Sequence, residues 1–317
     1  MKVRHNDDRG GFALVAALGL LVMLMAWGFY YVDYMSIDFK ESLQSEDDAR
    51  IRVTTRAGVY AAIGEIQAAL DNGTMGEYLA GEHTYNLPFY TGDGDPEHKT
   101  LKVDAKRGTH AVVTVLDECA KVNLNHVPPR VLQALLNVDP NTARAIRRGL
   151  PSASPGDGIP GQQHWIAGLD DLRKYMKKDA LEAINADLLT VDSVLDQSEP
   201  RGFINLNSAS PEVLSAVLGI GMEAAQKVVA ARPLTSVADL VAAVGVEPAA
   251  FTIPPPADAP ASLPQEFSFD SRCYRIVSTF GGAPTKTGSQ IEAVVFFPER
   301  GRYVIGAWNE MGKQETS

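Results

Sequence analysis

Residues 12–32 form an apolar run without a break, and residues 34–70 then repeat apolar positions at helical spacing with no proline. The first run holds 21 residues, enough at about 1.5 Å each to cross a hydrocarbon layer of roughly 30 Å as a helix. Val53, Ala57, Tyr60, Ala61 and Ile63 mark one face of the second, so the apolar helix is expected to continue outward as one long amphipathic stem. Gly73, Gly76 and Gly81 mark a loop region. Extended patterns at residues 101–105 and 111–116, joined by the turn Lys106-Arg107-Gly108-Thr109, predict two strands. Residues 273–280, 291–297 and 303–308 predict three more, with Gly281-Gly282 and Gly301 in their connections, hence a meander. The Pro-rich run 254–264 cannot continue a helix and reads as a linker.

The expected fold class is α+β. A transmembrane and stem helix packs on one antiparallel sheet built from 101–116 and 273–308, and an all-helical domain is inserted between those strands. The expected division is a leader at 1–11 and a transmembrane helix at 12–32. Stem and first strands follow at 33–117, the helical domain at 118–250, the linker at 251–266 and the closing strands at 267–310.

The helical part contains an internal duplication. Residues 122–136 (Val-Asn-Leu-Asn-His-Val-Pro-Pro-Arg-Val-Leu-Gln-Ala-Leu-Leu) align without a gap with 204–218 (Ile-Asn-Leu-Asn-Ser-Ala-Ser-Pro-Glu-Val-Leu-Ser-Ala-Val-Leu), at an offset of 82. The match continues through Ala143 with Ala225 and Ile146 with Val228, so the copies span about 122–147 and 204–229. In the second, Ser210 is a natural N-cap and Pro211 suits the first helical position. Gly219-Ile220-Gly221 makes the turn, and Pro233 ends the next helix. The first copy is followed, after a Gly/Pro/Ser insert at 149–161, by Leu169-Asp170-Asp171-Leu172.

Each copy resembles a helix-hairpin-helix, whose Gly-hydrophobic-Gly turn offers free amides to a phosphate. Gly219, Gly221 and Lys227 would be the nucleic-acid residues of such a unit. The first copy, however, has Asn137-Val138-Asp139-Pro140 in place of that turn. Proline removes an amide and aspartate adds charge where a phosphate would rest. The formal net charge of -10 also disfavours a phosphate backbone, so both hairpins read as packing modules.

The N-terminus narrows the class further. Lys2, Arg4 and Arg9 precede the apolar run and Asp33, Asp38 and Glu41 follow it, which keeps the start cytoplasmic and the bulk of the chain outside. Trp27, Phe29, Tyr30 and Tyr31 at the outer end suit an interfacial belt. A secretory signal has its small residues after the apolar segment, whereas here Gly10-Gly11 comes before it. Cleavage between Gly11 and Phe12 would keep the segment on the mature chain. This arrangement resembles the type IV prepilin and pseudopilin class, which usually has Glu at the fifth mature position, here Ala16. Together with Asp117-Glu118, the two Asn-x-Asn stretches, 188–191 (Leu-Leu-Thr-Val) and Gly202-Phe203-Ile204, the chain is similar to the minor pseudopilin K family of type II secretion (general secretion pathway protein K). The resemblance covers about residues 9–308.

That resemblance implies a pilin-like scaffold and a non-enzymatic role at the tip of a periplasmic pseudopilus. It implies other minor pseudopilins as partners in a heteromeric complex, a prepilin peptidase as processing enzyme, and an inner-membrane location. The alternative is a membrane-anchored DNA receptor of the competence type. Calcium is the cofactor the resemblance suggests, and Asp93, Asp95 and Glu97 are the best oxygen-rich loop for it, although they lack the length of an EF-hand. Asp170-Asp171 is a second weak candidate. No nucleophile-base constellation stands out among the six histidines. Cys119 follows the second strand and Cys273 begins the third, so a disulfide is possible, as are two buried thiols.

Overall fold

The computed structural model describes residues 9–79, 83–87, 90–95, 100–103, 109–150, 165–193, 204–245, 267–281 and 289–312. The chain divides into two compact units, Met1–Val53 and Thr54–Ser317. Helix α1 (Arg9–Asn72) carries the apolar segment within the first unit. Its residues from Leu14 to Val32 are exposed, and the stretch is long and apolar enough to cross a membrane. The stem expectation holds: α1 continues without a break for 64 residues.

In the second unit the last turns of α1 lie on a five-stranded antiparallel sheet in the order β1-β4-β9-β10-β11. Its strands are β1 (His83–Leu87), β4 (Thr109–Asp117), β9 (Cys273–Phe280), β10 (Ser289–Glu299) and β11 (Arg302–Gly312). Val59, Ala62, Ile63 and Ile66 of α1 share a core with Val113, Val115, Tyr274, Ile276, Ile291 and Val295. Contact is close at Gly58, where a Cβ would come 2.5 Å from Ser278 Oγ and 2.7 Å from the Ala111 Cβ. A bare backbone there lets helix and sheet meet. The closing strands form the expected meander, β9 with β10 and β10 with β11.

One strand expectation fails. Of the expected strand 101–105, residues 104–105 lie outside the described residues and 101–103 do not join the main sheet: β3 (Thr100–Val103) pairs with β2 (Tyr90–Asp95) as a separate hairpin. The edge beside β4 belongs to β1, from a region read as loop, with His83 opposite Val113 and Leu87 opposite Thr109. Its anchor is tertiary. The Tyr85 hydroxyl lies 2.9 Å from that of Tyr78 in the short helix α2 (Met75–Tyr78) and donates to Glu65 Oε2 of α1 at 3.1 Å.

Between β4 and β9 the described chain is mostly helical. It comprises β5 (Val122–Asn123), α3 (Pro129–Leu136), α4 (Pro140–Gly149), α5 (Lys178–Glu182) and β6 (Leu189–Thr190). Then come β7 (Ile204–Asn205), α6 (Pro211–Leu218), α7 (Met222–Ala230), α8 (Val237–Val244) and β8 (Phe267–Ser268). Its own core unites Leu124, Leu132, Ile146, Leu172, Leu206, Leu214, Val228 and Leu240, drawn from both copies. The Gly/Pro/Ser insert, apart from 149–150, and the Pro-rich run lie outside the described residues.

Candidate functional site

The two copies are built by the same side-chain bonds. The first asparagine of each Asn-x-Asn folds an Asx turn: Asn123 Oδ1 accepts from the Asn125 amide and Asn205 Oδ1 from the Asn207 amide, both at 2.9 Å. The second asparagine holds the chain that returns after the hairpin. Asn125 accepts from the Ile166 amide at 2.8 Å and donates to the Ile166 carbonyl at 2.9 Å. Asn207 accepts from the Leu234 amide at 2.7 Å and donates to the Leu234 carbonyl at 2.8 Å.

The structure extends the duplication past its sequence match. Ile166 and Leu234 each open a turn in which an aspartate caps the chain: Asp171 accepts from Ala167 and Asp239 from Thr235. Leu172 and Leu240, one residue further on in each, are both core residues. Further along, β6 pairs in parallel with β5 and β8 with β7. This aligns residues 189–193 (Leu-Thr-Val-Asp-Ser) with 267–271 (Phe-Ser-Phe-Asp-Ser). Their terminal serines meet the first asparagines: Asn123 Nδ2 donates to Ser193 Oγ at 3.0 Å, and Asn205 Nδ2 to Ser271 Oγ at 2.7 Å. The matching Asp-Ser pairs were a signal in the sequence, hidden by insertions of different length in the two copies.

Two adjacent carboxylates at the end of β4 join these copies to the sheet. Asp117 is buried and accepts from Asn205 Nδ2 at 3.0 Å, from the Ser208 and Ser271 hydroxyls, and from the Cys119 amide at 2.8 Å. Every side-chain donor here comes from the second copy. Burial pushes the Asp117 carboxyl above the usual range, and these hydrogen bonds only partly offset it. Glu118 faces the first copy and the sheet. It accepts from the Thr190 hydroxyl, from Lys121 Nζ at 2.8 Å and from Arg275 Nε at 2.7 Å. Burial alone would raise its pKa, but Arg275, Lys121 and Thr190 outweigh that and hold it below the usual range. Arg275 of β9 also donates to Asp192 at 2.7 Å and to Glu292 of β10. One guanidinium thus bridges the first copy and two strands. Sequence reasoning noticed the Asp117-Glu118 run and missed these roles, because the partners other than Cys119 and Lys121 lie 72 to 157 positions away.

The cysteines lie at the same junction. Cys119 and Cys273 are buried with Val294 and Phe296 in one cluster, and both are free thiols in this structure. Burial pushes the Cys119 thiol up to about 12 and raises that of Cys273 well above its ordinary value.

At the hairpin turns the copies differ. Asp139 caps α4 by accepting from the Asn141 and Thr142 amides at 2.8 and 3.1 Å, so its own carboxylate fills the position where a phosphate would bind. Gly221 gives α7 no side-chain cap, and Gly219 adopts the left-handed conformation at φ 68°. Lys227 makes an ion pair with Glu223 at 3.2 Å.

Gly11 and Phe12 lie in the opening turns of α1, and Ala16 is further along the same helix. Asp93 and Asp95 fall on β2, Glu97 lies outside the described residues, and so does the leader up to Asp8. Asp170 and Asp171 are engaged by Arg173 and Lys174 at 2.8 and 3.7 Å. Among the described residues no three His, Cys, Asp or Glu side chains are grouped to hold a metal ion.

Residues 201–253 match the helix-hairpin-helix motif family, a span containing the second copy's hairpin and α8. A search of curated proteins finds no match. Among solved structures, the chain is similar to a chain in the crystal structure of the GspK-GspI-GspJ complex from the enterotoxigenic Escherichia coli type 2 secretion system. Sequence identity is 14%, 80% of this chain and 99% of that chain are covered, and the TM-score is 0.44.

Proposed function

We propose that this chain is a membrane-anchored minor pseudopilin of the K type. In this reading a prepilin peptidase cuts between Gly11 and Phe12, α1 anchors the mature chain in the inner membrane, and the rest lies in the periplasm. The observation that carries it is the join between leader and fold. A Gly-Gly pair stands ahead of an exposed apolar run, and the last turns of α1, the helix that carries this run, pack on an antiparallel sheet. A plain signal anchor has no need for its membrane helix to become a packing element of the folded unit.

The tip position follows from charge. In filaments of this class the glutamate at the fifth mature position neutralises the N-terminal amine of a neighbouring subunit, and an amine buried without a partner is costly. With Ala16 at that position the chain cannot serve a neighbour stacked above it. None is needed at the end of a filament, where other minor pseudopilins would be its partners. Its role is then to initiate or cap assembly in support of protein export.

The mass of the mature N-terminus tests the processing step. A chain starting at Phe12, with or without a methyl group, is expected. Retention of Met1, or cleavage beyond Val32, would overturn the reading. Labelled protein spread evenly along filaments would overturn the tip position.

The helix-hairpin-helix match at 201–253 favours the second reading, a membrane-anchored DNA receptor. Against it, Asp139 already caps the amides of the first hairpin and Glu223 already pairs Lys227 of the second. A gel shift with the full chain in detergent is expected to show no binding at physiological salt. Micromolar affinity that falls steeply with salt and is lost in Lys227→Glu would reverse the ranking.

A further inference from the structure

We propose that Cys119 and Cys273 are joined in a structural disulfide that closes the neck of the helical segment. Three observations converge. The last ladder pair of β4 and β9 is Asp117 with Tyr274, so the chain leaves one strand and enters the other at the same end of the ladder. Cys119 lies two residues past Asp117 and Cys273 one residue before Tyr274, so both stand just beyond that end of the ladder. Next, Cys119 sits in the 3-10 turn Glu118–Ala120 directly after β4, and Cys273 is the first residue of β9, its reduced thiol donating to the Asp192 carbonyl at 2.9 Å. Finally, the two side chains are 3% and 1% exposed and share a four-residue apolar cluster, where neither meets water.

The position gives the bond its effect. The segment from Cys119 to Cys273 contains every helix from α3 to α8 and both Asn-clamped copies. A bond at its two ends would tie the return strand β9 to the exit of β4 whatever the state of the helices between them. It would also secure the carboxylate junction, since Asp117 and Glu118 immediately precede Cys119 and Arg275 lies two residues beyond Cys273.

The chemistry is thiol–disulfide exchange with a small-molecule or protein disulfide, R–S–S–R. One cysteine thiolate attacks a sulfur of R–S–S–R, forming a mixed disulfide and releasing RS⁻, which takes up the thiol proton. The second cysteine thiolate attacks the first cysteine's sulfur and releases the other RS⁻, protonated in turn. Two thiols are oxidised and one external disulfide is reduced to two RSH. In the folded chain both thiols are buried and hold their protons tightly, so exchange belongs to the folding stage, before the junction closes. The bond rests on the proposed periplasmic placement only for its supply of oxidant.

The full chain, purified in detergent, would be unfolded with denaturant and reductant, then refolded with oxidised glutathione and treated with excess N-ethylmaleimide under denaturing conditions. The expected product is a monomer that takes no maleimide and is lighter than the reduced chain by two hydrogens. Digestion should give one linked peptide pair carrying Cys119 and Cys273. Cys119→Ser and Cys273→Ser should each take one maleimide or one glutathione. Two maleimides on the wild-type chain, stable glutathione adducts, or disulfide-linked dimers would overturn the proposal, and this readout stands even if a serine variant fails to fold. The same analysis on protein isolated from its own membranes in maleimide separates the two readings. The bond present with Met1 retained sinks the pseudopilin reading alone, whereas free thiols on a chain starting at Phe12 sink the disulfide alone.

Discussion

The two copies in the helical segment share their clamps and differ at their turns. Asn125 and Asn207 hold the returning chain through the same pair of bonds, and Asn123 and Asn205 both reach a serine just past the strand paired with their own. At the turn, the first copy puts Asn137 in the left-handed region at φ 51° and caps α4 with Asp139, while the second uses Gly219 and an uncapped Gly221. The clamp is buried in the first copy and half-buried in the second, and it holds the buried Ile166 and Leu234, so loss of one partner is costly and the pattern is tightly constrained. The turn faces solvent, where water can satisfy free amides, so it is free to diverge. Chemical character therefore varies where substitution is inexpensive, and the helix-hairpin-helix match at 201–253 covers the second copy's clamp as well as its turn.

The copies also differ in which carboxylate serves them, and this gives the largest expected effects. Glu118→Ala removes the buried partner of Arg275 and Lys121 and is expected to cost about 3–5 kcal/mol. Hydrogen exchange should then rise first at residues 189–193, in the first copy. Asp117→Ala is expected to cost about 2–3 kcal/mol and to loosen residues 204–208 and Ser271 instead. Exchange rising equally in both copies would refute the division of labour.

Next in size are the clamps themselves. Asn125→Ala and Asn207→Ala each leave a buried amide and a buried carbonyl unpaired, at about 2 kcal/mol. Asn207 also donates to the Phe269 carbonyl at 2.9 Å, so its loss should be the larger of the two. Denaturant midpoints of the full chain in detergent would show the difference.

The pH dependence separates the two carboxylates by sign. Glu118 has a folded pKa below its unfolded one, so its stabilisation is present above the unfolded value and is lost as pH falls through the folded value. Asp117 has a folded pKa above its unfolded one, so the folded chain binds that proton more tightly. Its contribution is fully present below the unfolded value of about 4 and declines as pH rises toward the folded value. Glu118→Gln should therefore flatten the acid limb of the stability profile, and Asp117→Asn should flatten the decline above it. The same change of slope in both variants would contradict these assignments.

The smallest effects test the turns. Gly219→Ala places a Cβ on a residue at φ 68° and should cost about 1 kcal/mol, although nothing crowds the position. Gly221→Asp would give α7 the cap that α4 already has, on an extended backbone with room for the side chain, and should raise the unfolding midpoint by about 1–2 °C. Asp139→Gly should lower it. If both substitutions act in the same direction, capping is not the difference between the turns.

Much of this organisation was legible in local patterns. An apolar run followed by proline-free helical spacing gave α1, because a helix bonds only within itself and needs no distant partner. Alternation gave β4 and the closing meander, where neighbours in sequence pair with each other. The ungapped match at 122 and 204 gave both hairpins, and glycine, serine and proline placed their turns. The tertiary structure decided the rest. A strand pattern says that a segment is extended and not which edge it meets, so 101–103 was misassigned and His83–Leu87 was missed until Tyr78 and Glu65 fixed Tyr85. In the same way, Asp117 and Glu118 are only two acids after a strand until folding surrounds them with donors from different copies and from β9. A buried carboxylate draws its meaning from the groups that replace its water, and in this chain those groups come from far along the sequence.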